Sequence, residues 1–171
     1  PLNTITPSDL FGLRLIAESA TDSNVACLAA AAASRIRCQV GQPTEALARI
    51  DQGMSRTTMA DPVHRALLVW AEAIVQLSIG DTTTASDRFK AATQQVHGQR
   101  DLNLLATMHR QWGDRLAARG LATEAAAHLR TARGLYRRQG NPEGIAASLR
   151  GAADLAVTVG ETLSAEALYD Q

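Results

Sequence analysis

Gly80–Ala92 reads GDTTTASDRFKAA: a glycine, an alanine five positions on, a large apolar residue four beyond that, and a further alanine three later. The same order recurs as Gly41/Ala46/Ile50, Gly120/Ala125/Leu129 and Gly160/Ala165/Tyr169. The glycines are 39, 40 and 40 residues apart. Side chains of the same kind returning at one period near 40 are the mark of a tandem repeat. A glycine permits the left-handed backbone that stops a helix, so each ladder glycine reads as a helix end.

A second ladder lies between the glycines. Thr21, Asp61, Asp101 and Asn141 stand 40 residues apart, and each can accept from the free N–H groups of a first helical turn. Asp22 competes with Thr21 for the first cap. Pro62 and Pro142 follow two of the caps, where proline suits the first helical position. Each cap therefore opens a first helix of about twenty residues that ends at a ladder glycine. Second helices are predicted at 43–57, 82–97, 122–139 and from 162 onward, with Pro43 in the first turn and Asp81 as a cap. Leu121 and Glu161 offer no capping side chain. Gly98 and Gly140 are expected to close two of these helices.

Periodicity agrees with this division. Leu105, Met108, Trp112 and Leu116 recur at three- and four-residue steps, as do Ile145, Leu149, Ala152, Ala156 and Val159. A lone helix pair cannot bury such stripes, whereas stacked pairs can. The alanine of each second helix lets two helices approach closely, and the bulky residue one turn later fills the neighbouring gap.

Composition sets the outer limits. The 171 residues are 46% hydrophobic but only 4% aromatic, an alanine-rich balance that favours helix and argues against disorder. Lysines and arginines number 17 against 17 acids, so no strong global field draws the chain to nucleic acid or acidic membranes. Lys90 is the one lysine, a bias that suggests a bacterial genome rich in G and C. Cys27 and Cys38 would stand about 16 Å apart on one helix face, too far for a disulfide. They are expected as free thiols in a reducing compartment, and a cytoplasmic location follows as the simple expectation. No apolar run reaches the length of a membrane span.

The ends carry expectations too. Residues 8–19 (SDLFGLRLIAES) read as a short amphipathic helix, the second helix of an earlier unit. Gln171 falls inside a second helix that has not run its length, so the chain reads as a piece of a longer protein whose uncapped last repeat offers a surface for self-assembly.

These residues resemble the tetratricopeptide repeat family. Its second-helix signature is literal in Ala85–Phe89 with Ala92. It persists as Ala125–Leu129–Ala132, Ala165–Tyr169 and Ala46–Ile50–Gly53. The first-helix signature survives in Trp112-Gly113, with Leu116 for the usual tyrosine. The other equivalents of Gly113 are Ser34, Ala73 and Ala153, all small. The period exceeds the family's usual 34 residues and is similar to the longer repeats of bacterial regulatory proteins.

The resemblance implies an all-α fold: a right-handed superhelical solenoid of antiparallel helix pairs with about four repeats, the last one incomplete. A single domain would span 1–171, with a preceding or capping helix over 1–20 and repeats at 21–60, 61–100, 101–140 and 141–171. It also implies a protein or peptide interaction module of a signalling or transcription-regulatory protein, whose partner would be a separate protein or peptide or another domain of the same protein. Alternatives are an effector-sensing domain with a small apolar or acyl ligand and a self-assembly element that forms homo-oligomers.

By register the first helices would line a concave groove. Its inner positions would be Leu28, Ala31, Arg35 and Cys38, then Leu67, Trp70, Ile74 and Leu77, then Arg110 with Asp114 and Arg150 with Asp154. Trp70 could floor an apolar pocket, or it could simply be buried as part of a central helix. Arg110/Asp114 and Arg150/Asp154 are spaced as intrahelical pairs worth ~0.3–0.5 kcal/mol each; alternatively they form a ladder that recognises a charged partner. Arg115, Arg119, Arg130, Arg133, Arg137 and Arg138 make a basic patch without interleaved aromatics, so direct nucleic-acid contact is not expected. His64, His97, His109 and His128 lack metal-binding spacing. No catalytic motif appears; neither enzyme activity, cofactor nor metal is expected.

Overall fold

In the computed structural model the described residues are Ile16, 20–158 and Gly160. Among them the regular structure is helical throughout, and no strand occurs. The helices are α1 (Ser23–Gln39), α2 (Pro43–Met54), α3 (Pro62–Ile79), α4 (Thr82–Gly98), α5 (Leu102–Ala118), α6 (Ala122–Gln139) and α7 (Pro142–Thr158), with a 3₁₀ turn at Thr57–Met59. Of the helix expected over 8–19 only Ile16 is described, in helical conformation, and the second helix from 162 onward lies outside the described residues.

Backbone contacts divide the chain into two compact units that meet at Gln99 and Arg100. That division falls at the border between the second and third repeats of the cap ladder. In the first unit α1 packs on α2 and α3, and α3 also packs on α4. In the second, α6 packs on both α5 and α7, which also touch each other.

The ladder glycines do what their spacing implies. Gly41, Gly80, Gly120 and Gly160 have φ of 80, 94, 75 and 82°. At Gly80 the amide donates to the Leu77 carbonyl at 3.2 Å, and the next amide, Asp81, reaches back to Gln76 at 3.1 Å. These two bonds satisfy carbonyls that the end of α3 would otherwise leave open, and they require the left-handed residue between them.

The cap ladder holds with one exchange. Asp22, not Thr21, caps α1, accepting from the Asn24 and Val25 amides at 2.7 and 3.3 Å. Asp61 accepts from Val63 at 2.8 Å, Asp101 from Leu104 at 2.9 Å, and Asn141 from Gly144 at 2.8 Å. Asp81 caps α4 through the Thr84 amide at 3.0 Å, and hydrogen bonding from the Thr84 hydroxyl, then from its amide, holds the Asp81 carboxyl below the usual carboxylate range. Leu121 starts α6 without a side-chain cap, as its apolar side chain requires.

Two helix ends differ from expectation. α2 stops at Met54 rather than 57, where hydroxyls take over carbonyls of the last turns: Ser55 Oγ donates to Gln52 O and Thr57 Oγ1 to Met54 O, both at 2.8 Å. Such local bonds favour a turn over continued helix. Gly98 does not end α4 by a left-handed turn. It is the last helical residue, and Arg100 takes the positive φ of 60° instead.

The core is built where the repeat places it. Ala46, Ile50 and Gly53 on α2, Ala85, Phe89 and Ala92 on α4, and Ala125, Leu129 and Ala132 on α6 are all buried. So are the small residues of the first helices, Ser34, Ala73, Gly113 and Ala153. Gly53 and Gly113 sit where a larger side chain has no room. A Cβ on Gly113 would stand 2.8 Å from Leu129 Cγ and 3.1 Å from the Ala125 carbonyl, and one on Gly53 would stand 2.8 Å from Ala30 Cβ. The buried hydroxyls of Ser34 and Ser148 are satisfied within their own helices, on the Ala31 and Gly144 carbonyls, each at 2.9 Å. Cys27 is buried and Cys38 half-buried on α1, and both are free thiols. Burial pushes the Cys27 thiol up, with Arg65 and Arg56 offsetting part of the rise.

Candidate interaction face

First helices carry the positions of interest, and in each unit two of them lie side by side. In the first unit Asn24 near the start of α1 accepts from the Asp61 amide at 2.8 Å, tying the start of α1 to the start of α3. Arg35 lies one helical turn beyond Ala31, and its guanidinium carbon stands 4.9 Å from the Trp70 ring centre on α3. A cation over an indole face is held by the ring's quadrupole.

Of the two readings of Trp70, burial within a central helix is the one the structure shows. Trp70, Ile74 and Leu77 are 3%, 1% and 2% exposed, and Ala31 is also buried. Leu67 is half-buried, while Leu28 is exposed. The cause is the place of α3, which is packed by α1, α2 and α4 and therefore offers little open wall. The all-apolar run Ala66–Ala71 is thus spent largely on core. The Trp70 indole N–H is buried without a hydrogen-bond partner.

In the second unit the charged positions come together. Arg110 donates to Asp114 Oδ2 across one turn of α5 at 2.9 Å. Asp154 on α7 lies close enough to Asp114 for its charge to raise the Asp114 carboxyl. Burial is the larger cause of that rise, and Arg110 and then Arg115 pull the other way. Gly151 makes the approach possible: a Cβ there would stand 2.8 Å from Asp114 Oδ1 and 3.1 Å from Leu129 Cδ2. Asp154 and Arg150 are both exposed. Two carboxylates from neighbouring helices thus share one neighbourhood with the Arg110 and Arg115 guanidinium groups.

The arginine patch is spread around the hairpin rather than gathered into this site. Arg119, Arg130, Arg137 and Arg138 are exposed, and Arg115 and Arg133 are half-buried. Arg137 and Arg138 occupy the last turn of α6, where positive charge complements the helix dipole.

Two polar contacts were not legible from motif spacing. Glu72 on α3 pairs with Arg88 Nε on α4 at 3.0 Å. Burial raises the Glu72 carboxyl; Arg88 opposes that rise and Asp51 adds to it. His109 on α5 and His128 on α6 place their Nδ1 atoms 2.9 Å apart. No motif joins residues nineteen apart. The usable signal was register: His109 lies one turn before Gly113, and His128 lies beside Leu129, the residue that covers Gly113. Among the described residues no group of three or more histidine, cysteine or acidic side chains is arranged to hold a metal ion, and no helix is long and apolar enough to cross a membrane.

No protein-family model matches the chain, and no curated protein matches it.

Proposed function

We propose that this chain is a repeat-built recognition module: a right-handed superhelical stack of tetratricopeptide-like helix pairs whose first helices bind a protein or peptide segment. Its setting would be a signalling or transcription-regulatory protein. The observation that carries the reading is the meeting of Asp114 and Asp154. They are forty residues apart in sequence, occupy the same place in successive repeats, and come into electrostatic contact on α5 and α7. A ladder of this kind reads an extended partner one repeat at a time, and here its chemistry selects basic side chains.

Fluorescence anisotropy with dye-labelled decapeptide pools of basic, neutral and acidic composition tests this at fixed low salt. The basic pool is expected to bind. The double variant Asp114→Asn/Asp154→Asn should weaken that binding about tenfold, the equivalent of ~1.4 kcal/mol, with an unchanged far-ultraviolet circular dichroism spectrum. Equal binding of all three pools, or equal affinity in the double variant, would contradict the assignment.

A further inference from the structure

The His109–His128 contact is unused by the recognition reading, and its geometry is specific. The ring centres are 5.1 Å apart with planes 27° from parallel, and the two Nδ1 atoms are 2.9 Å apart. That centre separation is close to the largest that such a nitrogen contact permits. The rings therefore meet edge to edge, with the two nitrogens nearly on the line between the centres. This is the arrangement of an N–H···N hydrogen bond. A metal ion on that line would need about 4 Å between nitrogens, since each metal–nitrogen bond is ~2.0–2.1 Å. The space fits a proton.

We propose that this pair is a proton-operated latch between α5 and α6, closed while one Nδ1 keeps its lone pair and opened when both carry a proton. In the neutral pair one ring is the Nδ1–H tautomer and donates, and the other, protonated on Nε2, accepts. A first added proton can settle on Nε2 of the donor ring, which leaves the bond intact and strengthens it by charge. A second must take the accepting Nδ1. It removes the acceptor and sets two positive rings against each other, so the two titrations are coupled.

The surroundings favour the closed form. Burial holds the His109 imidazole down to about 4, and the charge of His128 adds to the effect. Burial also lowers His128, with Glu124, one turn earlier on α6, pulling the other way. The other charged groups on the three helices of this unit are Arg110, Asp114 and Arg115 on α5, Arg130, Arg133, Arg137 and Arg138 on α6, and Glu143, Arg150 and Asp154 on α7. Of these, Arg110, Asp154 and Arg115 act on Asp114.

The sign follows from linkage. Both histidines are depressed in the folded chain, so unfolding takes up protons at mildly acidic pH. The latch contributes fully above the ordinary histidine value of ~6.5, and its contribution is lost as pH falls from there toward about 4.

The test is ¹⁵N–¹H spectroscopy of the imidazole rings in the whole chain from pH 8 to pH 4, paired with urea midpoints at the same pH values. At pH 7.5 one ring should show Nδ1–H and the other Nε2–H, with both titrations below 6.5. The urea midpoint should fall between about pH 6.5 and 4. His109→Gln keeps an amide donor for His128 but removes the second charge. Proton uptake on unfolding in that window should drop from near two to near one. Two rings that titrate independently near 6.5 would overturn the proposal, as would a full pH slope retained in His109→Gln. If that variant does not fold, the tautomers and midpoints of the unaltered chain decide alone.

Discussion

Leu129→Ala is expected to cost ~2–5 kcal/mol of stability, measured as the shift in urea unfolding followed by Trp112 fluorescence and circular dichroism. Leu129 is the large residue of the third repeat's ladder and is 1% exposed. Its branched end lies over Gly113 on α5 and Gly151 on α7, so the side chain is shared by three helices. Truncation leaves a void whose walls are helix backbone. Backbone already at close approach cannot collapse inward, which places the expected cost toward the upper part of the range. Leu135, half-buried on the same helix, should tolerate the same truncation with a smaller loss.

Gly144→Ala should destabilise the second unit by ~1–3 kcal/mol, against the helix-propensity gain that alanine normally brings. An added Cβ would fall 2.6 Å from Tyr136 Cε1 and closer still to Cδ1 and Cγ. The ring cannot swing away freely. It packs with Ala106 and Ala132, and its hydroxyl is 3.0 Å from Thr107 Oγ1. Gly134 on α6 is the matched control, because a Cβ there meets nothing within 4 Å. Gly134→Ala should therefore gain about 0.5–1 kcal/mol, the ordinary helical preference. Opposite signs for two glycine-to-alanine changes, read from thermal melts, separate packing from propensity. Two stabilising changes would show that Tyr136 yields and that the α6–α7 contact is loose.

The repeat was legible because it is written in residue types that have few other uses. A glycine needed for positive φ, a cap oxygen and a small residue under a large one each mark one position. Their forty-residue return placed every described helix start within two residues. Legibility failed where neighbours compete for one job. Thr21 and Asp22 both suit a cap, and the carboxylate, the stronger acceptor of two backbone amides, prevails. Hydroxyl side chains ended α2 early, an effect of local bonding that a spacing rule does not contain. At Gly98 the left-handed residue fell two positions later, on Arg100.

The candidate site was harder to read than the fold because inner-wall positions share one sequence pattern whether open or covered. Arg110, Asp114 and Asp154 are drawn together as their spacing implied. Trp70 and Ile74 hold the places of Arg110 and Asp114 in an earlier repeat, yet they and Leu77 are core, because α3 has helices against it on several sides. Register gives the direction of a side chain; the number of neighbours decides its exposure. The histidine pair shows the converse, a contact between helices that only a paired register can reveal.

Central to the repeat is one contact, in which small residues of the first helices are held in place by the large residue of the second. A double-mutant cycle on Gly113→Ala and Leu129→Ala tests it directly. Gly113→Ala alone should cost ~1–3 kcal/mol, since the new methyl meets Leu129 Cγ at 2.8 Å. In the Leu129→Ala background most of that cost should vanish, a coupling of about 0.5–3 kcal/mol. Costs that simply add, to within ~0.3–0.5 kcal/mol, would contradict the claim.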